Sequence, residues 1–101
     1  MKPEIKDRLD RSDIRVMAKG TNFCVFVRDG CLAMVPWDEE SFSDIGSTGL
    51  SLDQGLAYLV YRDGQHLLSG NDFEVPAEPE QVEKILQFSA DLKAALGLAG
   101  L

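Results

Sequence analysis

Two short strings in this chain share a pattern. Phe26-Val27-Arg28-Asp29-Gly30 is matched 34 residues later by Val60-Tyr61-Arg62-Asp63-Gly64. Asp-Gly between apolar runs is a strong short-range signal for a two-residue hairpin, because both central residues of a type I′ turn need positive φ. With Asp29-Gly30 at the tip, Arg28 faces Cys31, Val27 faces Leu32, Phe26 faces Ala33, Val25 faces Met34 and Cys24 faces Val35. With Asp63-Gly64 at the second tip, Tyr61 faces His66, Val60 faces Leu67 and Leu59 faces Leu68. Two hairpins so pinned imply an antiparallel sheet. In the first, Val25, Val27, Leu32 and Met34 make one apolar face, and Phe26 and Ala33 lie on the other. Beyond the five-residue match the segments diverge, so the repeat is read as two hairpin locks rather than a duplication.

The flanking segments fill in the rest. Pro3 suits the first position of a short helix over 3–11, with Ile5 and Leu9 on one face. Ile14, Val16 and Ala18 alternate with Arg15, Met17 and Lys19, as in a strand with one wet face. Strand 31–36 is expected to end at Pro36, which cannot donate to a ladder. A structureless loop over 37–55 is unusual in so small a domain. A short helix near 38–44 is expected there, tucking in Trp37, Phe42 and Ile45. Pro79 opens the clearest helix, and Gly97 is a suitable terminator. Its stripe is read as Val82, Ile85, Leu86, Ser89, Leu92 and Leu96, which leaves Phe88 to one side. The expected fold is therefore α+β. A five-stranded antiparallel sheet, made of a meander (14–19, 23–28, 31–36) and a hairpin (56–62, 65–70), packs against a long C-terminal helix. Short helices lie near the N-terminus and in the middle.

At 101 residues the natural expectation is a single domain, 1–101. The net charge of −7 is unevenly spread. Residues 1–19 hold six bases against four acids, and no base occurs between Arg28 and Arg62. An acidic body repels phosphate, so nucleic acid is not expected as a partner. No apolar run reaches the roughly 20 residues of a membrane span, and the charged N-terminus lacks a secretory pattern. The expected location is the cytoplasm, with reduced thiols. The first hairpin's register sets Cys24 and Cys31 four ladder positions apart, about 13 Å, too far for the roughly 7 Å that a disulfide allows.

Sites of chemistry are sparse. His66 is the lone histidine, and spacing places no nucleophile beside it. One histidine with two separated cysteines gives no metal-ligand pattern. Asp38, Glu39, Glu40 and Asp44 miss the calcium-loop spacing. Gly46-Ser47-Thr48-Gly49 lacks the lysine of a phosphate loop. Arg28 and Arg62 precede matching turns and could flank one acidic ligand, but partners of their own at the sheet edge account for them as well. No catalytic residue, metal or cofactor is assigned.

Residues 56–96 carry a resemblance. Tyr58-Leu59-Val60-Tyr61, a glycine turn, Leu67-Leu68, Pro76, Pro79-Glu80 and a long helix follow in order. With the small size and acidic balance, this is similar to the type III secretion chaperone-like fold. The resemblance implies a dimer that binds extended segments of secreted partners, and assigns no individual residue.

Three functions follow as expectations. The first is a non-catalytic protein-binding module (a chaperone, adaptor or regulator), possible as a homodimer. Its interaction surface would use Trp37, Phe42, Phe88 and Met17, apolar residues outside the stripes. The second is a small-ligand or catalytic domain whose pocket lies between the sheet and loop 37–55, lined by Trp37, Tyr61 and His66. The third is an acidic mimic that inhibits a nucleic-acid-binding protein.

Overall fold

The computed structural model describes residues 2–38, 41–43, 45 and 48–98. Helix α1 (Pro3–Arg11) leads into strands β1 (Arg15–Lys19), β2 (Phe23–Arg28), β3 (Cys31–Asp38), β4 (Ser41–Phe42), β5 (Thr48–Leu52), β6 (Gly55–Arg62), β7 (Gln65–Ser69) and β8 (Glu74–Pro76). Helix α2 (Pro79–Leu96) closes the chain. The strands form one antiparallel meander in the order β1-β2-β3-β5-β6-β7-β8, and the two-residue β4 pairs with the end of β3.

Both Asp-Gly hairpins form in the expected register. Arg28 pairs with Cys31, Phe26 with Ala33 and Cys24 with Val35. Leu59 pairs with Leu68 and Tyr61 with His66. Asp29 (φ 55°), Gly30 (φ 87°), Asp63 (φ 54°) and Gly64 (φ 77°) adopt the left-handed conformations that tight turns of this kind require.

The sheet is larger than the expected five strands. β5 joins the two hairpins, pairing Leu50 with Cys31 on one side and with Ala57 on the other. β8 extends the far edge, pairing Val75 with Leu68. The expected helix over 38–44 is also corrected: Asp38 belongs to β3, and Ser41 and Phe42 form β4. Residues 39, 40 and 44 lie outside the described residues. Pro36 does not end its strand. The Trp37 amide donates to Asn22 O (3.0 Å), while Pro36 O accepts from the Ser43 amide (2.9 Å). In an antiparallel ladder neighbouring residues point opposite ways, so the missing Pro36 donor faces away from β2, where the β2–β3 ladder does not need it.

One face of the sheet carries the core. Cys24, Phe26, Cys31, Ala33, Val35, Leu50, Ala57 and Leu68 are buried there, with Ile5 and Leu9 of α1 and Ile85, Phe88, Leu92, Ala95 and Leu96 of α2. The Arg8 guanidinium ties α1 to Ala95 O (2.9 Å) at the far end of α2. Pro79 opens α2, the Glu78 amide donates to Gln81 Oε1 (2.8 Å), and Gly97 (φ 78°) caps its end. Pro79 and Gly97 are the start and stop signals read from the sequence, and the Glu78–Gln81 capping contact adds to them.

The rotation of α2 differs from the expected one. Phe88 is fully buried, whereas Leu86 is 54 % exposed. Both sequences of positions satisfy a 3.6-residue period. The larger ring occupies the space between α2 and the sheet, and the Arg28 guanidinium lies over it, 5.6 Å from its centroid. Phe88 is therefore core and belongs to no interaction surface.

Candidate functional site

The rotation of α2 creates the most distinctive surface feature. Leu86 shares its side of the helix with Val82 and Ala90, one turn before and one turn after it. Pro79 and Ala77 continue that apolar line toward the helix start. The β6–β7 turn stands opposite as a wall of Gly64, Gln65 and His66. Together they line an open groove of about 700 Å³. Glu83 is its one charged lining residue, and Gln87 adds an amide. Glu78 and Glu80 follow at the N-terminal end of α2. The groove is thus apolar along its floor, with the single carboxylate of Glu83 in its lining.

His66 reaches this groove from β7, and Tyr61 packs edge-on against it (4.9 Å between centroids). Their meeting follows from the hairpin register. Tyr61 is 67 % exposed. Trp37 is not brought to them. It stacks on Phe42 (5.5 Å), donates through Nε1 to Gly20 O (3.2 Å) and lies under the Lys19 ammonium (4.8 Å). Phe42 also meets Phe26 edge-on (5.9 Å). The Trp37–Phe42 pair therefore closes one end of the core. Met17, 61 % exposed, sits on the edge strand β1 where the register slips between Val16 and Ala18. The four residues named as one interaction surface thus occupy three separate places.

The two arginines of the repeated turns also part company. Arg28 bonds Asp91 Oδ2 (2.8 Å) and Ser12 O (3.1 Å), joining the sheet to α2 and to the end of α1. Arg62 forks onto both oxygens of Glu74 (2.8 and 2.9 Å). Each has its own acid, so they do not converge on a shared ligand.

No family model, curated protein or solved structure matches the chain. The site has to be read from its own chemistry. Among the described residues, no group of three His, Cys, Asp or Glu could hold a metal ion. Every buried side-chain nitrogen or oxygen among them has a partner. No helix among them is long and apolar enough to cross a membrane. Glu39, Glu40, Asp44, Gly46 and Ser47 lie outside the described residues.

The two thiols are buried and free. Burial pushes Cys24 up from its ordinary range, opposed by Lys19. Burial likewise pushes Cys31 up, opposed by Lys84 and Arg28. A thiol held protonated is a poor nucleophile. These two side chains work as small core hydrophobes.

The groove could not be read from the stripe assigned to α2. A signal was nevertheless present: the stripe as read merged members of two lines, Ile85, Phe88, Leu92 and Leu96 on one side and Pro79, Val82, Leu86 and Ala90 on the other, and a helix with two apolar lines has more apolar surface than one sheet covers.

Proposed function

We propose that this chain is a non-catalytic protein-binding module whose groove between α2 and the β6–β7 turn takes an apolar, basic-flanked helical segment of a partner protein. The observation that carries this reading is Leu86, more than half exposed in line with Val82 and Ala90 in a groove whose one charged lining residue is Glu83. An amphipathic helix presents apolar anchors at i, i+3 or i+4, and i+7, which suits a groove running along a helix. Lysines or arginines beside those anchors would meet Glu83, the groove's one charged lining residue. Basic flanks thus add complementarity and speed encounter. The role is that of an adaptor, chaperone or regulator. The resemblance of residues 56–96 to the secretion chaperone-like fold favours the last step of this reading by analogy of fold alone. Two protonated, buried thiols suit the reducing cytoplasm.

Fluorescence anisotropy tests the reading with synthetic helical peptides bearing leucines at that spacing and either basic or acidic flanks. The basic-flanked peptide is expected to bind, and Leu86→Asp to abolish binding while leaving the melting curve nearly unchanged. Equal affinity for both peptides, or binding that survives Leu86→Asp, would refute it.

A second reading rests on the groove's size, which falls within the roughly 300–1,000 Å³ of small-ligand sites, and on His66 as a polar group at its wall. It places the ligand beside α2 rather than beside loop 37–55. Ligand-observed NMR against a metabolite set, with His66→Ala as control, decides it; no hit from a broad set would dismiss it.

A further inference from the structure

The second face of the sheet is apolar and neither helix packs its stripe against it. Register assigns its residues. Arg15 pairs with Val27, Val27 with Leu32, Leu32 with Gly49, Gly49 with Tyr58, Tyr58 with Ser69 and Ser69 with Glu74. These residues make one continuous row across seven strands. A neighbouring row runs through Ala18, Val25 and Met34 on one half of the sheet, and through Val60, Leu67 and Pro76 on the other. Both helices bury their stripes against the opposite face. Except for Gly49, the residues of these rows are half-buried or exposed, with Met34 at 47 %.

Charge separates this face from the rest of the molecule. The chain carries −7. Among the described strand residues, the charges on this face are Arg15, Asp38, Arg62 and Glu74, two of each sign and all at its margins. It is a neutral face on an acidic protein. Two copies meeting there keep their acidic surfaces apart, whereas a strongly charged partner would find nothing complementary at its centre.

The geometry points to a second copy of this chain as the occupant of the open face, the two sheets stacked about a two-fold axis. The row from Arg15 to Glu74 carries opposite charges at its two ends, Glu74 being held within its own chain by Arg62. A two-fold axis along the strands reverses the row, setting Arg15 of one copy over the Glu74 edge of the other, and the reverse, as an isologous interface requires. The size also fits. The molecule measures 39 × 26 × 23 Å. An oval face spanning the longer two extents offers on the order of 800 Å², about the area each partner buries in a standard interface. This surface is distinct from the α2 groove, so the two proposals stand or fall separately.

Sedimentation velocity over a concentration series, from low micromolar to several hundred micromolar, tests this. The wild-type chain is expected to sediment at twice its 11.1 kDa mass. Met34→Glu strands a charge in the stacked face and should weaken association by about 100-fold or more. Val25→Arg on the adjacent strand should do the same, and Leu86→Asp should leave the dimer intact. A wild-type monomer throughout the series overturns the inference. So does a dimer that survives both folded variants. Amide chemical shifts of the wild-type protein on dilution provide a readout that needs no variant. They should move at residues 25, 27, 34, 58, 60 and 67; movement confined to other residues counts against this face.

Discussion

Replacing Phe88 and Leu86 by alanine, one at a time, separates the two rotations of α2. Phe88 is fully buried, and the Arg28 guanidinium rests on its ring. Phe88→Ala deletes a whole aromatic ring and leaves a cavity bounded by the sheet, which costs about 3–5 kcal/mol. A 101-residue domain has roughly 5–15 kcal/mol of total stability. At about 4–8 °C per kcal/mol for a domain near this size, the melting temperature should fall by roughly 12–40 °C. Leu86 is 54 % exposed. Its truncation removes a side chain that water already reaches, and alanine is the better helix former, so the cost should stay below about 1 kcal/mol. Circular dichroism melts and urea midpoints on both variants supply the comparison. If Leu86→Ala costs more than Phe88→Ala, the helix is rotated the other way, the groove closes, and the reasoning fails.

Other outcomes follow from named contacts. A β-carbon at Gly49 would lie 2.3 Å from Ala57 O and 3.0 Å from the Tyr58 ring; Gly49→Ala should cost about 1–3 kcal/mol in a urea titration, because backbone has to move. Gly30→Ala forces an alanine to φ +87° and should cost about 1–2 kcal/mol by the same assay. Arg28→Ala removes the charge-assisted bonds to Asp91 and Ser12 O and should cost about 2 kcal/mol, with less dependence on salt than a fully exposed pair shows. Cys24 and Cys31 should resist a thiol reagent in the native protein, and both should react on unfolding. Their raised pKa values mean that the native state keeps protons the unfolded chain begins to lose near pH 9. The stabilisation is complete below that pH and is lost as pH rises through the folded values. The alkaline fall in urea midpoint should therefore be shallower in a Cys24→Ala/Cys31→Ala variant.

Local chemistry made much of the fold legible. Asp29-Gly30 and Asp63-Gly64 set both registers, and with them the separation of the cysteines and the Tyr61–His66 contact. Pro79 and Gly97 marked the ends of α2. The misses share a cause, which is that tertiary context decides between equal local signals. β5 reads as loop because Gly49 and Ser51 interrupt its apolar residues. Yet Leu50 and Leu52 alternate with them at the strand period, and Gly49 is small because Ala57 O and the Tyr58 ring lie close against it. In α2, Phe88 and Leu86 fit the helical period equally well, and the space over the sheet favours the larger ring. β8 has three residues, too few for a period, and its Pro76 suits an edge. The candidate site depended on the rotation of α2, so it was hidden with it. The second apolar face was visible in Val25, Val27, Leu32 and Met34 from the first hairpin alone.

Everything proposed for α2 turns on whether its Leu86 side takes a protein partner. Titrating the isotope-labelled protein with the basic-flanked helical peptide, and following every backbone amide, tests it most directly. The expected result is saturable shifts confined to residues 64–66 and 77–90, absent in Leu86→Asp. Saturable shifts elsewhere, or none while the protein remains folded, would contradict it.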